Sequence, residues 1–233
     1  MATRVAVVRA RRDEDKEGRR RQLLDAAAAL FLHTPYAALR MAEVAEAAGL
    51  AKGTLFLYFP TKEALFLALL DERLGAWFDR LDAVLARGGA PWTAARAARA
   101  VVASVQGDES LLRLVPVWQT VLEHNVTQGQ LRPFKERLLE RQLRTGALLE
   151  RRLPFLAAGE GARLLLHVHA LVSGLRQLAD PAPVVRELLE DPRLAPLRVG
   201  FSRELTFALT HLLRGLHARA SLPVRTAPER SHV

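Results

Sequence analysis

The sequence predicts an all-α protein in which a small three-helix head precedes a larger helical body. Near the N-terminus, Met41, Val44, Ala45 and Ala48 recur at the three- and four-residue spacing of one helix face. Beyond Pro91 no stretch shows the pattern of a strand. The 233 residues, half of them apolar, are enough to bury a substantial core.

The first helix is expected to begin near Gly18 and to end near Pro35. Residues 1–18 are predicted to form a mobile arm, in which a cluster of arginines at 9–12 precedes an acidic run. Basic arms can enter a DNA minor groove. A solvated tail whose charges cancel explains the same residues at least as well, so both interpretations stay open.

Two short helices joined by a tight turn are predicted next. The apolar face at residues 41–48 gives a second helix, and Gly49 follows where a helix end needs a residue with positive φ. A third helix fits Lys52–Tyr58; a proline stops it, and the Thr61 hydroxyl can cap the helix that follows. Over about residues 40–59 this is the helix-turn-helix pattern, whose second helix can lie in a DNA major groove.

Two residues in this region are hard to explain by stability alone. Gly53 lies inside a short helix, where glycine costs about 1 kcal/mol relative to alanine. Lys62 lies in the first turn of a helix, where a cation opposes the macrodipole by roughly 0.3–1 kcal/mol. A flexible helix and a solvated lysine are the plain alternatives. Both residues make sense beside a phosphate backbone, which glycine lets approach and lysine attracts.

A long helix from Lys62 to about Arg87 is predicted to join the head to the body, and a glycine-rich loop ends it. We place the helix-turn-helix head at residues 19–78 and the helical body at residues 79–220. The proline-containing segment 221–233 is predicted to be a disordered tail.

Further helices are predicted in the body, with a break at Gly129 and a kink at Pro116. Their expected ranges are Trp92–Gln106, Glu109–His124, Pro133–Leu153, Gly161–Ala179, Pro183–Glu190 and Leu197–Arg219.

The head resembles the TetR family of bacterial transcriptional regulators. The resemblance covers about residues 19–78, roughly a quarter of the chain, and is specific in residue types and spacing. It rests on Leu23, Leu24, Asp25, Ala26, Ala27, Leu30 and Phe31, then on 44–50, 52–56, Tyr58, Phe59 and 62–65.

Four positions depart from the family pattern. Arg40 and Ala51 stand where hydroxyl residues usually cap the second and third helices, and each change loses a cap worth about 1 kcal/mol. Phe56 stands where a tyrosine is usual, so one phosphate-directed hydroxyl is missing. Leu57 stands where a polar residue is common.

The resemblance implies a ligand-responsive regulator, most often a repressor, that leaves a pseudo-palindromic operator when an effector binds. It also implies a homodimer, paired through the last two long helices (162–178 and 201–216). We expect the start of the recognition helix to reach bases or nearby backbone through Lys52, Gly53 and Thr54. Residues expected to flank the phosphates are Arg40, Phe56, Tyr58 and Lys62.

A ligand pocket is expected in the body, between the loop at Gly88 and Ala179. Aromatic and aliphatic walls with few polar groups suit a small apolar or amphipathic effector, although each side chain alone fits an ordinary core. The candidates are Trp118, Gln119, Leu122, His124, Phe134, Leu138, His167 and Val168.

Composition excludes several classes of function. The net charge of +9 suits nucleic acid, and it would also suit an anionic membrane surface. The absence of cysteine excludes disulfides and thiolate chemistry. We expect no metal, no cofactor and no catalytic site, since no cluster has the required spacing. No apolar run has the length of a membrane span, so a cytoplasmic protein is expected. The alternative is a helical carrier of small molecules that has lost operator binding, which Phe56 and Leu57 favour.

Overall fold

The computed structural model describes residues 2–221, with side chains from Glu14 onward. This part of the chain is all-α and contains no strand, which confirms the predicted fold class. Its helices are α1 (Ala2–Phe31), α2 (Met41–Ala47), α3 (Lys52–Tyr58), α4 (Lys62–Ala86), α5 (Ala94–Gln106), α6 (Glu109–Val117), α7 (Gln128–Arg152), α8 (Glu160–Ala179), α9 (Pro183–Leu188) and α10 (Phe201–Ala220).

The first helix begins at Ala2, so the expected start near Gly18 was wrong. Most residues between 2 and 17 are Ala, Arg, Glu or Lys, which favour helix. One interior glycine costs only about 1 kcal/mol, and the helix continues through it. The tail predicted at 221–233 lies outside the described residues except for Ser221.

The head packs α1, α2 and α3 around the first turns of α4. Phe66 of α4 is fully buried, and the rings of Phe31 and Tyr36 meet it edge-on at centroid distances of 5.2 and 5.0 Å. Leu55 and Phe59 anchor α3 to the same core. One side of α3 is therefore fixed by packing, and the opposite side is presented to solvent.

The turn between α2 and α3 is the predicted glycine turn. Gly49 has φ 65°. Its N–H donates to the carbonyl of Glu46 at 2.9 Å, and the N–H of Leu50 donates to the carbonyl of Ala45 at 2.9 Å. This pair of bonds is the Schellman motif, which closes a helix through a left-handed residue. The motif fixes the angle at which α3 leaves α2.

Several predicted bounds in the body were wrong. Pro116 does more than kink the predicted 109–124 helix: α6 ends at Val117 and a π-helical turn, Trp118–Leu122, follows. Gly129 lies inside α7, because Thr127 and Gln130 form a capping box that starts the helix before the glycine.

The last helix begins at Phe201 instead of Leu197. A 3₁₀ turn over Pro192–Leu197 occupies the preceding residues, since two prolines there remove donors that an α-helix needs. In the body α10 packs on α5 and α8, while α7 packs on α4 and α8. The α7–α8 crossing is tight: a Cβ at Gly161 would lie 2.1 Å from the carbonyl oxygen of Gly146.

Candidate nucleic-acid interface and ligand cavity

The outer face of α3 consists of Lys52, Gly53, Phe56 and Leu57, all exposed. These positions follow the i, i+1, i+4, i+5 spacing of a single helical ridge. Leu57 is 87% exposed and Phe56 40%. The Lys52 ammonium lies 5.9 Å from the centre of the Phe56 ring. Among the predicted contact residues, Thr54 and Tyr58 are half-buried beside this ridge.

Gly53 has no structural explanation within the described part of the chain. A Cβ built on it meets nothing within 4 Å, and its φ is not positive. An alanine would therefore fit, and would favour the helix by about 1 kcal/mol. The glycine therefore leaves open space on the surface of α3.

Arg40 and Ala51 indeed form no side-chain cap. At α2 the first turn compensates, because the Glu43 carboxylate accepts the main-chain N–H of Arg40 at 3.0 Å and its side-chain Nε at 2.9 Å. These hydrogen bonds, the main-chain one first, lower the pKa of Glu43. The Arg40 guanidinium remains mostly in solvent at the edge of the head.

Lys62 has a structural role that the sequence did not reveal. Its ammonium donates to the carbonyls of Tyr36 at 2.8 Å and Leu39 at 3.2 Å, and lies 4.3 Å from the centre of the Tyr36 ring. The Tyr36 hydroxyl donates to Glu63 at 2.9 Å, and burial followed by this bond raises the pKa of Tyr36. The first turn of α4 therefore secures the α1–α2 loop, and stability alone can account for the lysine.

The body holds a cavity of about 160 Å³ lined by α4, α5, α6, the π-helical turn, α7 and α8. Four of the predicted ligand residues line it: Trp118, Gln119, Leu138 and Val168. The other four do not. Leu122 and Phe134 are buried in the surrounding core, whereas His124 and His167 are exposed, so none of these four faces this cavity.

Sequence reasoning missed most of the α4 and α8 sides of the cavity. Trp77 and Phe78 of α4 together form one wall of the cavity. The signal available was the presence of two adjacent aromatic residues in a helix next to the head. The remaining lining residues are Leu74, Val105, Leu111, Val115, Lys135, Gln142, Leu165, Leu166, His169 and Val172.

His169 is the unusual polar group in this cavity. Its Nε2 atom is buried and has no hydrogen-bond partner among the residues that the structure describes, and its ring lies 4.6 Å from that of Trp118. Burial, reinforced by the charge of Lys135, lowers the pKa of His169. A buried nitrogen without a partner costs about 1–3 kcal/mol. A molecule that offers this nitrogen a hydrogen bond recovers that free energy.

The α4 helix is tied to α7 along the outer edge of the cavity. Asp71 accepts hydrogen bonds from Arg141 at 2.7 Å and from Arg137 at 2.8 Å. Further along both helices, Arg144 of α7 donates to Asp82 of α4 at 2.7 Å. Since α4 also forms part of the head, these bonds connect the cavity walls to the helix that carries α3.

Two family models match the chain in succession. Residues 23–69 match "Bacterial regulatory proteins, tetR family", and residues 71–220 match "Tetracyclin repressor-like, C-terminal domain". The chain belongs to the TetR family. The resemblance noted in the head is thereby confirmed, and it extends through the body, where the sequence pattern had given only helices of suitable length.

Curated TetR-type relatives match through a limited stretch. The transcriptional repressor KstR of Mycolicibacterium smegmatis is 41% identical over 83 residues, 34% of this chain and 39% of its own. The fatty acid metabolism regulator protein of Bacillus subtilis is 33% identical over 61 residues, 26% of this chain and 31% of its own. The chain thus spans about a third of the length of these relatives.

Solved structures share the fold over nearly the whole chain. A TetR-family regulator from Mesorhizobium loti has a TM-score of 0.56 at 19% identity, covering 87% of this chain and 96% of its own. A tetR-family regulator from Streptomyces coelicolor has a TM-score of 0.53 at 18% identity, covering 88% and 82%. At this identity the likeness concerns the fold alone.

Within the described residues, no group of three His, Asp or Glu side chains could hold a metal ion. No single helix there has the length and hydropathy of a membrane span, although α3 and α4, which meet at a 62° bend, reach them jointly.

Proposed function

We propose that the protein is a ligand-responsive, DNA-binding transcriptional regulator that acts as a repressor released by a small apolar or amphipathic molecule. The observation that carries the proposal is the outer face of α3. This face belongs to a head with a well-packed core. The presence of a glycine at position 53 inside the helix is accounted for by the close approach of another molecule. A carrier of small molecules does not require an exposed helix face of this kind.

The proposed contacts follow from the position of each residue on the head. Lys52, Gly53 and Thr54, at the start of α3, approach base edges or the adjacent backbone. Flanking groups reach the phosphates, since phosphate contacts set the register of a protein on the duplex. Arg40, Tyr58 and Lys62 supply the donors, Lys62 through the N–H that its two carbonyl bonds do not use. Phe56 flanks the phosphates without a hydrogen-bonding group.

A homodimer supplies two such heads. Of the eleven large apolar side chains exposed within the described residues, seven lie in the stretch from α8 to α10, outside the head. An exposed apolar surface of this kind is typical of a protein interface. A two-fold axis through it would place two α3 helices on successive major grooves of a pseudo-palindrome. The seven are Leu166, Leu178, Val184, Val185, Leu188, Leu197 and Phe207.

The effector is proposed to enter the cavity beside α4. The volume of about 160 Å³ is small beside the roughly 300–1,000 Å³ that a drug-sized ligand needs. Binding therefore widens the cavity, and Leu74, Trp77 and Phe78 place one of its movable walls on α4. A displacement of α4 changes the spacing of the heads, and the ligand lowers operator affinity by its differential affinity for the two arrangements.

Selection from a random duplex library, followed by a fluorescence titration of the selected duplex, tests the proposal. Nanomolar binding with at least about a thousandfold preference over random DNA is expected. Lys52→Glu, at an exposed position on α3, should weaken binding by about tenfold or more because it repels phosphate. Arg99→Glu makes the same charge change at an exposed position of α5 and should bind as the parent does. Failure to select any duplex would favour the carrier.

A further inference from the structure

The recognition face of α3 is poor in hydrogen-bonding groups. Of its four exposed residues, only Lys52 carries a polar side chain. Base edges in the major groove are usually identified by Arg, Lys, Asn, Gln, Asp or Glu, which donate to or accept from specific base atoms. Thr54 and Tyr58, the other polar residues of α3, are half-buried at its sides. Most of the face must therefore recognise DNA by contacts other than hydrogen bonds.

Leu57 dominates this apolar area. At 87% exposed it contributes almost nothing to the core, and Phe56 beside it is 40% exposed. Isolated exposed leucines are common. This one lies one turn after Gly53 on the same ridge, where the missing Cβ lets the helix axis come close to another molecule. The leucine side chain is therefore the group that would project furthest from a closely docked α3.

The major groove offers one apolar group to such a side chain. Thymine carries a C5-methyl there, whereas the other bases present donors and acceptors. Resting on the proposed operator binding, we infer that Leu57, flanked by Phe56, reads a thymine methyl in each half-site. Sequence preference at this position then comes from van der Waals contact and burial of apolar area. Lys52 is the residue of this face that hydrogen-bonds to base edges.

If Leu57 reads a thymine methyl, each half-site of the operator must contain an A·T pair at the position that Leu57 covers. Deoxyuridine differs from thymidine by that methyl alone and keeps the same hydrogen-bonding edge. Replacing the contacted thymine by deoxyuridine is expected to weaken binding of the parent about fourfold per half-site, the loss that corresponds to one buried methyl-sized group.

A substitution cycle tests the inference. The duplex obtained by selection is resynthesised with each thymine replaced singly by deoxyuridine, and parent, Leu57→Ala and Leu143→Ala proteins are titrated with every duplex. Leu143, 56% exposed on α7, is the control for loss of an exposed leucine away from both the head and the proposed dimer surface. At one thymine of each half-site, the parent and Leu143→Ala should distinguish thymidine from deoxyuridine, and Leu57→Ala should bind both equally.

The other outcomes each decide against the inference. If a duplex is selected but no thymine position loses its methyl effect in Leu57→Ala, methyl reading is wrong while operator binding stands. The same holds if the parent itself binds the thymidine and deoxyuridine duplexes equally at every position. If no duplex is selected, both operator binding and methyl reading fail, and the exposed apolar face of α3 belongs to another kind of partner. Thermal melting of Leu57→Ala should match the parent, since the side chain is solvated in the free protein.

Discussion

The ammonium group of Lys62 lies 2.8 Å from the main-chain carbonyl oxygen of Tyr36. A second bond, to Leu39, and the ring of Tyr36 complete its surroundings. The lysine thus joins the first turn of α4 to the loop that precedes α2. Its unfavourable position near a helix N-terminus is offset within the head by charged hydrogen bonds, which are stronger than neutral ones.

Lys62→Ala should consequently lower the free energy of unfolding by about 1–3 kcal/mol, because two half-buried carbonyls lose a charged donor. Urea denaturation measures this, and Lys52→Ala, which removes an exposed lysine from α3, should change it little. The salt dependence of operator binding is a separate readout. If the remaining N–H of Lys62 meets a phosphate, the slope should fall in magnitude by about one unit per half-site. An unchanged slope would make the lysine purely structural.

Gly53→Ala should separate stability from affinity. The added methyl meets open space in the free protein, so stability should rise by up to about 1 kcal/mol. In the complex the methyl should meet the duplex and weaken operator binding. Gly18→Ala also adds a methyl in open space on a helix, and it should stabilise without loss of affinity. Equal operator affinity of parent and Gly53→Ala would remove the close-approach argument.

The head could be predicted because its local signals agree. Gly49 ends one helix, Thr61 caps another at 3.0 Å, and Leu55 is buried as its spacing requires. The role of Lys62 could not be predicted, since its partners lie 23 and 26 residues away. Contacts across that distance depend on tertiary packing, which no local pattern encodes.

The cavity shows the same limit in the body. His167 and His169 both lie on α8, two positions apart, and therefore face different directions. Only the rotation of α8 against α7, set by the tight crossing of Gly146 and Gly161, decides which one faces inward. His167 was predicted from the sequence as a ligand residue, whereas His169 is the histidine that lines the cavity.

Phe207→Asp should dissociate the proposed dimer. Phe207 is 61% exposed on α10, so the free chain tolerates a carboxylate there, whereas a dimer interface would have to bury an unpaired charge. The dissociation constant should rise by about a hundredfold or more. Sedimentation at micromolar concentration should show a dimer for the parent and a monomer for the variant. Leu143→Asp, at a 56% exposed position on α7, should remain dimeric. A monomeric parent would contradict the proposal that two heads bind one operator.

His169→Leu should stabilise the protein in acid and impair its response to the effector. Because burial lowers the pKa of His169, the unfolded chain binds a proton below about pH 6.5 that the folded state does not yet bind. Unfolding is thereby favoured as pH falls through that value. Leucine removes both this linkage and the unpartnered nitrogen. Urea midpoints between about pH 5 and 7 should fall less steeply than in the parent. His167→Leu, on the exposed face of α8, should retain the parent's dependence.

Arg152→Ala should cause a large loss of stability. The side chain is only 7% exposed, and its guanidinium donates to main-chain carbonyls at the end of α4 and in the following loop. It reaches Leu85 at 2.7 Å, Gly89 at 3.0 Å and Gly88 at 3.1 Å, and it also contacts the carbonyl of Arg87. The last turn of a helix leaves such carbonyls without partners, and a cation there also complements the macrodipole.

Removing the guanidinium leaves these acceptors unpaired, so the free energy of unfolding should fall by about 3 kcal/mol. Arg152→Lys keeps the charge but has no planar fork to reach several carbonyls at once, and it should recover only part of the loss. Arg151→Ala, at the exposed neighbouring position of α7, should be nearly neutral. Urea midpoints at one protein concentration compare the three variants. If Arg152→Ala were as stable as Arg151→Ala, the hydrogen bonds from α7 would not stabilise the end of α4. The displacement of α4 that we propose for ligand binding would then have to pivot at a different contact.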